Sequence, residues 1–342
     1  MYYPQPLKPG SRIAICAFSS SVPSVCFARL DKAIELLHGY GFEVVEGGTV
    51  RNSGQIDPHT RADELTQFLL DEQVSAVVPP WGGELAMTIL PLLDWQALEN
   101  ASPKWVFGFS DVSTIMTALT TRLGWATLHG SNLMQLSALQ TDSLTRNTLD
   151  IMSLQQGDEI TQYPSTFFEK TNSQSISDPT MIFNLTEPTK WRLLAESETK
   201  LVTPVIFSGR LLGGCLDTHQ HLMQTAFAQL DTFVCSHEND ALILYFENAQ
   251  LNDNAYIRAL LGLKFRGVFE RASGILIGRN TANDGPNGTH KAVLERALGE
   301  LNIPIVFDVD ISHQPPNMPL INGAHTEVKL LAKRVSVTQH LI

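Results

Sequence analysis

A serine at the end of an apolar run is the residue in this chain best placed to do chemistry. Trp105-Val-Phe-Gly-Phe-Ser-Asp111 reads as a buried strand that turns through Gly108 and delivers Ser110 to the start of a helix. A hydroxyl there sits at the positive end of the helix, where backbone N–H groups can meet an oxyanion, so Ser110 is a candidate nucleophile. The plainer role for Ser110 or Asp111 is to cap that helix.

Three other positions share its setting at the carboxyl end of an apolar strand, where open parallel sheets bind ligands. Gly82-Gly83 ends Val74-Ser-Ala-Val-Val-Pro and lets a substrate approach backbone without a side chain in the way. Glu247 ends Leu242-Ile-Leu-Tyr-Phe246. His313 follows Ile305-Val-Phe-Asp-Val, within a proline-rich turn that would hold its backbone rigid. Ser, Glu and His supply a nucleophile, an orienting acid and a base, in one of several chain orders that give triad geometry. Asp310 is a competing carboxylate, and Glu247 is also readable as a solvated loop residue.

Other patterns are weaker. His219 and His221 are two apart on a helix and do not face each other, which disfavours zinc. Asn280-Thr-Ala-Asn-Asp-Gly285 lacks the terminal glutamate of a calcium loop. Neither a Walker A motif nor GxGxxG is present.

The elements that must position these residues alternate. Strand readings at 12–18, 42–45, 74–79 and 105–109 are separated by helical periods at 27–40, 60–71, 84–90 and 113–123. This is the pattern of a parallel sheet with helices on both faces. Residues from about 153 to 204 break it, with polar runs and no sustained period, and read as a linker with a long excursion. Mixed α/β character resumes at Val205, with a helix over 216–227 and a final hairpin of Glu327–Leu331 with Arg334–Thr338. The expected domains are 1–152, a 153–204 linker and substrate-covering loop, and 205–342.

At 342 residues, two domains are the natural division, and 43% hydrophobic with 17% charged residues describes a soluble globular chain. The formal charge of −11 argues against nucleic acid or an anionic membrane as partner. No stretch approaches a membrane span of about 20 apolar residues. The four cysteines form no CxxC pair, and a disulfide framework is not expected in so long and hydrophobic a chain. Met1-Tyr-Tyr-Pro-Gln-Pro has no signal-peptide character. A cytoplasmic location is expected.

Assembled, these segments resemble the serine carboxypeptidase family of bacterial LD-carboxypeptidases and microcin C immunity hydrolases. The matching pieces are Leu7-Lys-Pro-Gly-Ser-Arg-Ile-Ala-Ile with Ser19-Ser20, Gly82-Gly83 with Leu90-Pro-Leu-Leu-Asp94, and Gly108-Phe-Ser-Asp111. Gly213-Gly214, Phe246-Glu247 and Ser312-His313 with Pro316-Asn317 complete the set. The resemblance implies Ser110 as nucleophile, His313 as base and Glu247 as orienting acid. The N–H groups of Asp111 and Gly83 would form the oxyanion hole. It implies a cleft between a doubly wound N-terminal domain and a mixed C-terminal domain, and amide hydrolysis through an acyl-enzyme without metal or cofactor. A homodimer is expected.

Two departures bear on substrate. LD-carboxypeptidases typically carry arginine and tyrosine around the glycine pair, where this chain has Trp81 and Glu84-Leu85. The insert with Pro188-Thr-Lys-Trp191 is more similar to the immunity-hydrolase branch, whose tryptophan-bearing loop can stack on a nucleobase. Trp191 is equally readable as a packing aromatic. Cys215 stands where the family usually has asparagine. The expected substrate is a peptidyl- or aminoacyl-nucleotide, contacted by Trp81, Gly82, Glu84 and Trp191. The alternatives are a murein tetrapeptide losing its terminal D-alanine, or a binding protein without turnover.

Overall fold

Five short strands form the parallel part of the first sheet in a computed structural model of the chain. It describes residues 1–342 except 53, 55, 141, 171–175, 181, 196–203, 238, 239, 282–284, 332 and 333. Strands β1 (Arg12–Ile15), β2 (Glu43–Glu46), β3 (Val74–Val78), β4 (Trp105–Gly108) and β5 (Thr127–His129) pair in parallel. β4 is buried along its whole length, as a strand covered on both faces must be.

The helices between them follow from apolar spacing and caps. Helix Phe27–Gly39 turns Leu30, Ala33 and Leu37 inward. Helix Pro58–Leu70 starts at Asp57, whose carboxylate accepts from His59 and Thr60 N–H, with proline in the first turn. Helix Val112–Leu123 is buried over its first nine residues and stops at Gly124 in the left-handed conformation. It is a central element, packed between the two sheets' cores, where each fully buried Leu or Ile contributes roughly 1.5–3 kcal/mol.

The 153–204 stretch and the second half supply the remaining strands. These are β6 (Glu159–Gln162), β7 (Phe167–Phe168), β8 (Glu187–Pro188), β9 (Arg192–Leu193), β10 (Val205–Cys215), β11 (Leu242–Glu247) and β12 (Ala272–Gly278). They are followed by β13 (Ile305–Val309), β14 (Leu320–Asn322), β15 (His325–Leu331) and β16 (Arg334–His340). The first sheet runs β14-β5-β4-β3-β1-β2, so β14 returns from the second half to close its edge, antiparallel to β5. The second sheet runs β6-β16-β15-β10-β11-β12-β13-β9, parallel through β10 to β13 and antiparallel outside them. Among the described residues β7 and β8 pair with each other as a separate antiparallel ribbon, so the fold is α/β with two large sheets, the first mainly parallel and the second mixed.

Three local expectations shift. The helix read over 84–90 is only Ala86–Ile89, followed by a 3-10 turn Leu90–Leu92. Pro91 has no N–H to continue the ladder, so the helix tightens and stops there. The helix read over 216–227 ends at Leu222, because buried Met223 goes extended and Gln224 turns left-handed to bond Ala228. The polar 153–204 stretch pairs β6 with β16 and β9 with β13, so it is stitched to both edges of the second sheet. Residues 171–175, 181 and 196–203 of that stretch, and 282–284 of the Asn280–Gly285 segment, lie outside the described residues.

Candidate active site

Ser110 sits between β4 and helix Val112–Leu123 with φ +65°, a left-handed conformation that costs a non-glycine residue on the order of 1–3 kcal/mol. The neighbours that hold it there come from distant segments. Asn132 brackets Phe109, accepting its N–H at 3.0 Å and donating to its carbonyl at 3.4 Å. The buried Asp111 carboxylate accepts from Ala86 N–H at 2.9 Å, from Ser19 Oγ, and from Thr114 Oγ1 at 3.2 Å. The Asp111 side chain is thus committed to structure. Its own N–H belongs to the first-turn donors that have no partner within a helix.

Gly82 lies flat against this turn. A Cβ there would stand 2.7 Å from Ser110 Cβ and 3.2 Å from Asp111 N, so any side chain would displace the serine. Gly83 is exposed and passes beside Ser19 and Ser20. Trp81 is half-buried and packed against the first sheet's core, while Glu84 is exposed.

The second half approaches from the other side. Cys215 N–H donates to Ser113 Oγ at 3.0 Å, and Ser113 Oγ in turn donates to the Ser110 carbonyl. A Cβ on Gly214 would meet Ser113 Cβ at 2.4 Å, so only glycine permits this approach. β10 thereby ties the Ser110 turn to the second sheet. Since Cys215 pairs with Glu247 across β10 and β11, it also fixes where Glu247 emerges.

His313 completes the arrangement. Its Nε2 lies 3.0 Å from Ser110 Oγ, and its Nδ1 lies 2.8 Å from Glu247 Oε2. A carboxylate only accepts, so Nδ1 carries the proton and Nε2 presents a lone pair to the serine hydroxyl. Phe109 meets the imidazole edge-on at 4.9 Å between ring centres. The His313 loop is held by Asn317, whose Oδ1 accepts Ser312 N–H at 2.7 Å. Arg279 also holds it, reaching the Gln314 carbonyl at 3.2 Å and that of Pro316 at 2.6 Å.

Electrostatics couple the pair. Burial alone would raise the fully buried Glu247 carboxyl, but the adjoining His313, with His129 and the Cys215 thiol, outweighs it and holds Glu247 below its ordinary value. Burial alone would lower His313, but Glu247 prevails and raises it above 6.5. Two other imidazoles, His129 and His219, are pushed by burial down to about 4 and stay neutral.

Asp310 is elsewhere. It forms a buried ion pair with Arg279 at 2.6 Å and accepts from Ser165 N–H at 3.0 Å and Trp191 Nε1 at 2.9 Å. Trp191 is half-buried, packs on the second sheet's core, and is not grouped with Ser110. His219 is buried and bonded to Thr117 and the Cys215 carbonyl, while His221 is exposed. Among the described residues, no group of three or more His, Cys, Asp or Glu side chains could hold a metal ion. Nor is any helix among them long and apolar enough to cross a membrane.

Sequence reasoning passed over Ser113, Asn132 and Arg279. Their partners lie far along the chain, and no local pattern marks them. A small cavity of about 90 Å³ opens beside His313, lined by Phe109, Ser131, Gln135, Glu169 and Asn317 among others.

Two α/β halves that meet at a serine, a histidine and a buried glutamate define a hydrolase of the serine-peptidase type. The family models agree. LD-carboxypeptidase N-terminal domain matches residues 13–130 and LD-carboxypeptidase C-terminal domain matches 208–328, so the chain belongs to the LD-carboxypeptidase family. A Vibrio cholerae protein that carries a carboxypeptidase name is 26% identical, covering 92% of this chain and 91% of its own. The Escherichia coli microcin C7 self-immunity protein MccF is 23% identical over 98% of this chain and 96% of its own. The fold matches the crystal structure of an MccF-like protein from Bacillus anthracis with a TM-score of 0.83 at 20% identity, covering 99% of both chains. A structure of MccF in complex with glutamyl sulfamoyl guanosine matches at 0.81 and 19% identity, covering 98% of both.

Proposed function

We propose that this carboxypeptidase-type enzyme hydrolyses an amide through an acyl-enzyme on Ser110, and that its substrate is a peptidyl- or aminoacyl-nucleotide. The carrying observation is the continuous Ser110–His313–Glu247 contact chain at 3.0 and 2.8 Å. His313 Nε2 takes the Ser110 proton as Oγ attacks the carbonyl carbon, and Glu247 stabilises the imidazolium that forms. The oxyanion is met by the N–H groups of Asp111 and Gly83, on the side that the missing Gly82 side chain leaves open. The imidazolium then protonates the leaving nitrogen, and water repeats the sequence on the ester.

The nucleotide reading draws on relatedness to MccF, one of whose structures holds glutamyl sulfamoyl guanosine and another aspartyl sulfamoyl adenosine. Trp81, Gly82, Glu84 and Trp191 are the proposed substrate contacts, with the 153–204 segment as cover, and the protein is proposed to work as a homodimer in the cytoplasm.

The test is turnover of an aminoacyl-sulfamoyl adenosine beside a murein tetrapeptide, by wild type and Ser110→Ala. Cleavage of the adenylate, abolished by the substitution, supports the reading. Cleavage of the tetrapeptide alone makes the enzyme a murein LD-carboxypeptidase. Tight binding of either without cleavage makes it a binding protein.

A further inference from the structure

The residue that follows Cys215 by two has a bearing on the site that its own exposure would not suggest. Asp217 is half-buried at the start of helix Leu216–Leu222. Cys215 and Glu247 are opposite one another in the parallel pairing of β10 and β11, so the residues just past each strand end also lie side by side. Asp217 Oδ2 accepts Ala249 N–H at 2.9 Å, and Oδ1 accepts Gln250 N–H at 3.0 Å. One carboxylate therefore holds the second and third residues after Glu247.

The same turn is gripped from its other side by Thr281, whose hydroxyl donates to the Asn248 carbonyl at 3.0 Å and that of Ala249 at 2.6 Å. Cys215 Sγ donates to Asp217 Oδ2 at 3.6 Å, which joins the acid to the strand opposite Glu247. Glu247 is fully buried with one oxygen on His313, and its other oxygen has no hydrogen-bond partner among the described residues. Its aim depends on where its backbone leaves β11, and Asp217 is the charged group among those that hold that turn.

We propose that Asp217 is a positioning residue of the hydrolytic site: it pins the turn after Glu247 and so sets where that carboxylate meets His313. The inference rests on the triad reading above. Thr281 could position the turn alone, being neutral, but only Asp217 adds charge. The charge is felt, since Asp217 acts with Glu247 to raise His313 against the effect of burial. The titratable groups around the pair are Glu247, Asp217, Cys215, the buried, neutral His129 and His219, and the buried Tyr245 and Tyr256. Asp217 touches no reacting atom, and its effect must pass through Glu247 and His313.

The experiment is an NMR titration of the His313 imidazole in the full-length protein, with kcat and KM measured beside it. The variants are D217N, D217S, D217E and, as a charge control, D231N, whose carboxylate is exposed on helix Leu230–Cys235. In D217N or D217S the His313 midpoint should fall by about 0.5–1 unit and kcat by about tenfold, with KM unchanged. D217E should restore most of the midpoint, and D231N should leave both readings as in wild type. A midpoint in the neutral variants within about 0.1 unit of wild type would overturn the proposal, as would a loss confined to melting temperature. Failure of both neutral variants to fold would make Asp217 structural and overturn it too. The titration needs no substrate. Should wild type cleave nothing and Ser110 resist a serine-directed fluorophosphonate, the hydrolase reading fails while the midpoint still judges Asp217.

Discussion

Replacing Glu247 by glutamine isolates the charge behind His313 with little change of shape. The carboxylate is fully buried and 2.8 Å from Nδ1, so little water screens it from the imidazolium that must form as Ser110 attacks. At an effective dielectric of about 20, two unit charges 3–4 Å apart attract by about 4–6 kcal/mol. The glutamine carbonyl still accepts the Nδ1 proton and recovers part of that. A net loss of about 3–5 kcal/mol remains, which lowers the rate by about 10²–10⁴. The comparison variant is Asp310→Asn. It leaves Arg279 buried without its partner, which should cost about 3–5 kcal/mol of stability, visible as a lower Tm. The assay is kcat/KM per active site titrated with a covalent inhibitor, beside a thermal melt. E247Q should lose rate and keep Tm, and D310N should lose Tm and keep more of its rate per folded molecule. An E247Q enzyme within tenfold of wild type, or a D310N enzyme slower than E247Q, would mean that Glu247 is not the orienting acid.

Further outcomes follow from the same structure. Ser110→Ala should abolish hydrolysis and leave the fold intact. His313→Ala should cost as much alone as together with Ser110→Ala, because triad members act as a unit; multiplying losses in the double variant would refute that. His313 must be neutral to accept a proton and its folded value is raised, so kcat/KM should climb through an acid limb with a midpoint above 6.5, and E247Q should move that limb to lower pH. His129 and His219 are held near 4, so the unfolded chain takes up protons first and stability should decline from about pH 6.5 to about pH 4, by roughly 3 kcal/mol per histidine. His129 makes no hydrogen bond among the described residues, so His129→Leu should flatten that decline in urea-denaturation series, and an unchanged slope would refute the assignment. Dialysis against a strong chelator should leave activity unchanged, since Ser110, His313 and Glu247 supply nucleophile, base and acid; restoration by added zinc would overturn the mechanism. Trp191→Ala should weaken adenylate binding by about 5- to 150-fold and spare a simple peptide amide, whereas equal losses on both would make Trp191 a packing residue.

Much of the site was legible because strand ends are legible. Ser110 follows a short apolar strand of the first sheet, Glu247 and His313 end or follow apolar strands of the second, and each sheet gathers the ends of its parallel strands on one edge. Separating Glu247 from Asp310 needed coordinates, as both follow strands and lie within a few residues of plausible turns. What divides them is a cation: Arg279 claims Asp310, and no local pattern announces an arginine 31 residues away. The Ser113 link to Cys215 spans 102 residues and was hidden for the same reason. β14 is only three residues long, too short to show a period, so its return to the first sheet could not be read either.

The position of Arg279 explains why the base and the 153–204 segment belong to one mechanical unit. Its guanidinium holds the Gln314 and Pro316 carbonyls on either side of the turn after His313 and ion-pairs with Asp310. Asp310 in turn holds Ser165 and Trp191 from that segment, while Phe168 lies 4.9 Å under the guanidinium. Seating of the segment and seating of the imidazole are therefore set by the same buried pair, whose two side chains are 4% and 0% exposed. A buried pair of this kind adds little net stability over an apolar substitute, because desolvation offsets most of its attraction. What it adds here is register. A segment that shifts takes the Ser165 and Trp191 donors off Asp310 and leaves that buried carboxylate to Arg279 alone, so docking of the segment and seating of the His313 turn are coupled through one ion pair.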